Sequence, residues 1–276
     1  MLKSFLRPIY FAIFVLVSSF LFIYEAFAAI NLKYDFSFVG YGGTIKNHNI
    51  HVLGIPIYWF MMLCGLIIII VYNINKRNSY HMSVLQSILI SIGFLVFAYI
   101  GGKLLYVVEN LNTVIQGGFS LDGLSLFGAI FFIPIVGLIY SGISRYPFSS
   151  LMDLSAQVGL IMLSFVRMGC FFSGCCGAIT LWNSNNPIIL PVQLFEVFFD
   201  LIILELCLNI EKKHLNQGYI YPFMMVSYGS CRFLLEFLRD SPKTIIIFSS
   251  SQIIAFVCLA LGIVFIFLIK RNQFKK

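Results

Sequence analysis

The chain has 276 residues, of which 60% are hydrophobic and only 11% charged, with a formal net charge of +7. A water-facing globular surface needs roughly 25% charged residues, so this composition excludes a soluble domain and makes lipid the solvent. The basic residues sit mostly at the ends of apolar runs, which excludes nucleic acid as the partner and points to membrane orientation.

The first element is an apolar run from Ile9 to Ala29. It follows Lys3 and Arg7 and ends in small residues, the pattern of a secretory signal cleaved near Ala28 or Ala29, or of a retained first helix. Residues 30–54 are polar, rich in Gly and Asn, and read as an exterior loop. Apolar runs follow at about 55–73, 83–108, 124–143, 150–172, 192–210, 217–238 and 249–270. At 1.5 Å per residue each is long enough to cross a hydrocarbon core of about 30 Å. The expected fold is an all-α polytopic integral membrane protein. It has about seven core transmembrane helices plus the N-terminal signal-like or extra helix.

With the N-terminus inside, the predicted interior segments hold Lys3, Arg7, Lys76, Arg77, Arg145, Lys212, Lys213 and the basic C-terminus. The exterior loops hold only Lys33, Lys46 and Lys243. This asymmetry follows the positive-inside rule and places both termini on the cytoplasmic side if the first segment is retained.

Charges inside the apolar runs mark the functional candidates, because one Arg or Lys at a helix centre offsets several apolar residues. Arg232, Glu236 and Arg239 are spaced by four and three and share one helix face. Arg232 and Glu236 can pair, leaving Arg239 free for an anion such as phosphate. Arg167, Lys103, and the run Gln193-Leu-Phe-Glu196 with Asp200 one turn on fall toward the same, exterior end of their spans. Cys170, Cys175 and Cys176 are open to a disulfide, to simple packing, or to thiol oxidoreductase chemistry. Their spacing is not that of a zinc ribbon, so no metal is assigned and no cofactor is called for.

Six motifs, in order from Ile55 to the C-terminus, resemble those of the prolipoprotein diacylglyceryl transferase family. Ile57-Tyr58-Trp59 resembles its aromatic motif. Gly101-Gly102-Lys103-Leu-Leu-Tyr106 resembles Gly-Gly-Arg-x-x-Tyr, with lysine for arginine. Gly123-Leu-Ser-Leu-Phe127-Gly128 resembles Gly-Met-Ser-Phe-His-Gly. Val166-Arg167-Met-Gly169-Cys170-Phe resembles Gly-Arg-x-Gly-Asn-Phe, and Pro191-Val-Gln193-Leu-Phe195-Glu196 resembles Pro-Ser-Gln-Leu-Tyr-Glu. Tyr228-Gly229-x-x-Arg232-x-x-x-Glu236-x-x-Arg239 matches the last motif at every named position.

The resemblance makes residues 55–276 one family domain. It implies transfer of diacylglyceryl from phosphatidylglycerol, or a similar anionic phospholipid, to the cysteine thiol of a lipoprotein signal peptide. The setting is the outer face of a bacterial plasma (inner) membrane. It implies catalytic roles for Arg232, Glu236, Arg239 and Tyr228, and substrate binding by Arg167, Tyr58, Lys103 and Gln193. Phe127 stands where the family has a histidine, and phenylalanine cannot take a proton. That departure keeps open a non-catalytic phospholipid-binding protein on the same fold. Glu236 is a substitute base only if its pairing with Arg232 leaves it basic enough.

Overall fold

The computed structural model describes residues 51–109, 111, 125–144, 146–173, 191–214, 218–239, 243–245 and 248–273. The signal-like segment 1–29 and most of the expected loop 30–54 lie outside the described residues. Residues 51–56, the last of that loop and the first of the next run, form a hairpin, with β1 (His51–Val52) paired to β2 (Ile55–Pro56). Its turn residues, Leu53 and Gly54, both have positive φ, as a two-residue hairpin turn requires.

Seven helices follow among the described residues, one for each predicted apolar run. They are α1 (Ile57–Lys76), α2 (Val84–Glu109), α3 (Leu126–Ser144), α4 (Phe148–Phe172), α5 (Val192–His214), α6 (Ile220–Leu235) and α7 (Ser250–Gln273). A 3₁₀ turn, Glu236–Leu238, extends α6, and a second short hairpin pairs β3 (Lys243–Ile245) with β4 (Phe248–Ser249). By length and composition α1, α2, α4 and α7 qualify as membrane spans, and α3 has a shorter apolar stretch. On α1, Trp59, Leu63, Ile67 and Val71 recur every four residues and stay exposed. In water such a stripe would be an aggregation surface, whereas in a bilayer it faces lipid.

The bundle is organised around α4. Its apolar window is 72% buried, against 22–28% for α1, α2 and α7, and it packs on α1, α3, α5 and α6. Helices α2 and α3 cross closely at Gly101 and Gly128. A Cβ on Gly101 would stand 2.6 Å from the Gly128 carbonyl oxygen, so a larger residue would force the helices apart.

Pro134 lies inside α3 and cannot donate to the carbonyl four residues back, that of Ile130. The buried Tyr221 hydroxyl of α6 donates to that oxygen instead. This is how a proline is tolerated where no water can satisfy the freed group.

At one end of the bundle a polar network closes the core. Glu211 of α5 pairs with Lys76 of α1 and accepts a hydrogen bond from Tyr80, at 2.7 Å. Gln157 of α4 donates to Tyr80 and Glu211 and accepts from Tyr72, and Tyr146 donates to the Tyr80 carbonyl. Nearby, Asp153 of α4 accepts the backbone N–H groups of Gly218 and Ile220, each at 2.9 Å. The N-cap residue of α6, Tyr219, caps it with no side-chain hydrogen bond. Asp153 supplies that cap from a neighbouring helix, its carboxyl accepting the N–H of Ile220, the first helical residue.

Two outcomes follow. Tyr221→Phe strands the Ile130 carbonyl and should lower stability by about 1–3 kcal/mol, read as a fall in Tm in detergent. An unchanged Tm would mean the carbonyl has another donor. Burial, and then repulsion by Tyr140, pushes the Tyr146 hydroxyl from its ordinary value up to about 12. Burial, and then Glu211, raises Tyr80 as well. Phenols that are harder to ionise in the fold contribute stability that is whole below pH 10 or so and is lost as pH rises toward about 12. Tm should fall across that window, and Tyr146→Phe should flatten the fall.

Candidate active site

The opposite end of the bundle gathers the intramembrane charges. Arg167 lies in the penultimate turn of α4, and Glu196 sits just inside α5. Arg232 ends α6, where the helix tightens into the 3₁₀ turn that carries Glu236 and releases Arg239 into extended backbone. That tightening keeps Arg232, Glu236 and Arg239 together, and α4 and α5 bring Arg167 and Glu196 against them.

Glu196, 3% exposed, is the hub. Its Oε2 faces Nε of Arg167 at 2.6 Å, and its Oε1 pairs with Nη1 of Arg232 and lies 3.5 Å from Nη1 of Arg239. Glu236 is the second carboxylate. Its Oε2 lies 2.8 Å from Nη2 of Arg232 and 3.8 Å from Nε of Arg239. Its Oε1 accepts the Ser249 hydroxyl at 3.1 Å. Ser249 and Gln252 form a reciprocal capping box at the start of α7, so α7 is tied to the cluster through its own N-terminus.

Two more buried groups belong here. Asp200, one turn after Glu196, lies within electrostatic range of Glu196, Arg167 and Arg232. Tyr228 of α6 lies in range of the same three and of Asp200. Neither Asp200 Oδ2 nor the Tyr228 hydroxyl has a hydrogen-bond partner among the described residues. Phe127 packs on the Tyr228 ring, with centroids 5.9 Å apart. Tyr58 of α1 covers Gly169, one turn-half beyond Arg167, where an added Cβ would meet its ring at 3.2 Å. Gln193 is buried one turn before Glu196. Lys103 lies on the α2–α3 side of the bundle, its ammonium 5.1 Å from the Tyr106 ring centroid.

The family model of prolipoprotein diacylglyceryl transferase matches residues 48–268. The chain belongs to that family. It is 26% identical over 241 residues to the phosphatidylglycerol–prolipoprotein diacylglyceryl transferase of Clostridium tetani, covering 80% of this chain and 96% of that protein. The transferase of that name from Dehalococcoides mccartyi strain BAV1 is also 26% identical, over 78% of this chain and 90% of its own. That of Clostridium perfringens numbered 2 is 27% identical, over 77% and 91%. The protein is thus a multi-pass membrane transferase of a bacterial family.

Within this family member the geometry corrects one expectation. Arg239 is not free of carboxylates, because Glu196 and Glu236 flank it, while its buried Nε has no hydrogen-bond partner among the described residues. Glu236 pairs with Arg232 through Oε2, as the i, i+4 spacing predicts, and accepts the Ser249 hydroxyl through Oε1. In the sequence Glu196 stands out only within the run Gln193-Leu-Phe-Glu196, with no catalytic or binding role of its own. The signal was charge balance: three arginines and one paired glutamate in lipid demand a further carboxylate. Cys170 is a buried free thiol, while Cys175 and Cys176 lie outside the described residues. Thiol oxidoreductase chemistry is not favoured by the family. Among the described residues no three or more His, Cys, Asp or Glu side chains are grouped so as to hold a metal ion.

Glu196→Ala would leave three guanidinium groups short of a counter-charge. It should destabilise the protein by about 3–5 kcal/mol, measured by unfolding in detergent. A loss under about 1 kcal/mol, the range of a surface pair, would mean that Glu196 is not the hub.

Proposed function

We propose that the protein moves a diacylglyceryl group from phosphatidylglycerol to the cysteine thiol of a lipoprotein signal peptide. The reaction runs at the outer face of a bacterial plasma membrane, with both termini cytoplasmic if the first segment is retained. The observation that carries this reading is three arginines held around two carboxylates in an apolar bundle, in a chain whose relatives bear that enzyme's name.

In this reading the thiol sulfur attacks the glycerol carbon that bears the phosphate. A C–S bond forms, the C–O bond to phosphate breaks, and the electron pair leaves on the oxygen of glycerol phosphate. Fixed guanidinium groups in a low-dielectric site stabilise that anion without reorganising. Arg239, the arginine with an unused Nε–H among the described residues, takes the phosphate. Arg167 and Arg232, locked to Glu196, hold the field around it, and Tyr58 and Gln193 bound the site. Lys103 offers one further positive charge from the α2–α3 side.

The thiol must also lose its proton. Phe127 cannot accept it, and Glu236 is engaged on both oxygens. Asp200, with Oδ2 unclaimed among the described residues, is the acceptor in this reading.

The test is transfer of labelled diacylglyceryl from phosphatidylglycerol to a signal-peptide cysteine by the purified chain. Arg239→Gln should lower the rate by about 10²–10³-fold. Asp200→Asn should lower it by about 10²–10⁴-fold and remove the acid limb of its pH profile. Full transfer by both variants would overturn these roles. Bound lipid with no transfer by the wild-type chain would overturn the enzyme reading in favour of a lipid-binding protein.

A further inference from the structure

Ser249 ends β4, directly precedes α7 and is buried. Its hydroxyl has one proton to give, and that proton goes to Oε1 of Glu236, at 3.1 Å. The hydroxyl oxygen also accepts the N–H of Gln252 at 3.2 Å, while the Gln252 side-chain oxygen accepts the N–H of Ser249 at 3.0 Å. A helix cap uses only the acceptor side of this hydroxyl. The donor side serves the arginine cluster, and capping does not account for it.

Packing holds the hydroxyl in place. Helices α6 and α7 meet at Gly229, where an added Cβ would stand 2.8 Å from the Ala255 carbonyl oxygen. Phe248, the residue before Ser249, sets its ring on Phe233, the residue after Arg232, with centroids 5.8 Å apart. The start of α7 is thereby fixed against the turn of α6 that carries the charges.

Glu236 stands among three donors. Its Oε1 takes Ser249, and its Oε2 takes Nη2 of Arg232 at 2.8 Å. Nε of Arg239 lies 3.8 Å from Oε2, beyond hydrogen-bond distance, and has no hydrogen-bond partner among the described residues. Without the hydroxyl, Oε1 would be a buried acceptor short of a donor, which is unfavourable. The Arg239 Nε is a donor short of an acceptor beside the same carboxylate. Arg239 follows the 3₁₀ turn in extended backbone, so no helix holds it back. A turn of the carboxylate would then give the two-bond contact that guanidinium and carboxylate favour. Arg239 would be occupied before any phosphate reached it.

We propose that Ser249 is a positioning residue for the transfer reaction. Its hydroxyl keeps Glu236 on Arg232 and so leaves the Arg239 guanidinium to the phosphate of the donor lipid. The proposal rests on the transferase reading for the identity of that anion. A state with Arg239 captured binds no phosphate. Its population therefore lowers the apparent affinity and leaves the rate at saturation alone.

The experiment compares four variants of the full chain. Ser249→Gly removes the hydroxyl, yet glycine starts a helix almost as well as serine. Ser249→Thr keeps the hydroxyl. Gln252→Ala breaks the other half of the capping box and leaves the hydroxyl on Glu236. Ser249→Cys keeps the shape with a weaker donor. Two quantities are read: binding of phosphatidylglycerol by the chain in phosphatidylcholine nanodiscs, and KM and kcat for transfer to a signal-peptide cysteine. Ser249→Gly should weaken binding and raise KM for phosphatidylglycerol, each about tenfold, with kcat held. Ser249→Thr and Gln252→Ala should bind as the wild type does. Ser249→Cys should fall between, and it carries the test if Ser249→Gly does not fold. A fall in kcat at constant KM, alike in Ser249→Gly and Gln252→Ala, is what a weakened helix start alone would give, and it would overturn the positioning role. Binding weakened in Ser249→Gly with no transfer by the wild type would support the positioning role and overturn the transferase reading. Transfer by the wild type with KM and binding unchanged in Ser249→Gly would do the reverse.

Discussion

A guanidinium group cannot stay unpaired in hydrocarbon, and α4 and α6 each carry one near the same end of the bundle. Glu196 meets this constraint by lying between Arg167 and Arg232 and within reach of Arg239. It is contributed by α5, so the three helices must meet at that point for any of the charges to be tolerated. Glu236 then shares Arg232 and anchors the cap of α7 through Ser249. One carboxylate thus fixes the relative positions of three helices, and a second brings in a fourth. The same low dielectric that makes unpaired charge costly makes the assembled field strong toward an incoming phosphate.

The other end of the same three helices is closed by a neutralised network, with Glu211, Gln157 and Asp153 at its centre. Asp153 and Arg167 lie about 21 Å apart along α4. Helix α4 is therefore clamped to α5 and α6 at both ends, and its middle is left to pack through small and apolar residues. A small apolar crevice lies in that middle, where α4 presents Ser155 and Gly159 and the Tyr221 hydroxyl turns toward the proline-freed carbonyl of α3.

Phe127 changes the chemistry more than the architecture. It buries a ring against Tyr228, where the family motif has a group that titrates. The phenol beside it keeps an uncommitted hydroxyl among the described residues, and the buried Asp200 Oδ2 has neither a hydrogen-bond partner nor an ion-pair partner among them. Anion stabilisation by the arginines is untouched by this exchange. In the proposed reaction proton transfer falls to a side chain other than Phe127, because phenylalanine cannot take a proton.

The helices were legible in the sequence because the requirement behind them is local. A segment in lipid must satisfy its own backbone, and each predicted run coincides with a helix among the described residues, four of them long and apolar enough to cross a membrane. The i, i+4 pair Arg232–Glu236 was legible for the same reason, since helix geometry alone fixes it. The partners of Glu196, the capping of α6 by Asp153, the donor for Ile130, the contact of Phe127 with Tyr228 and the crevice itself were not. In water an amphipathic stripe tells which side of a helix faces its neighbours. In a bilayer the solvent is as apolar as the core, so that stripe is absent and the sequence carries little record of which faces meet. Only the packed bundle, forced to match each buried charge and each freed carbonyl with a partner on another helix, decided those contacts.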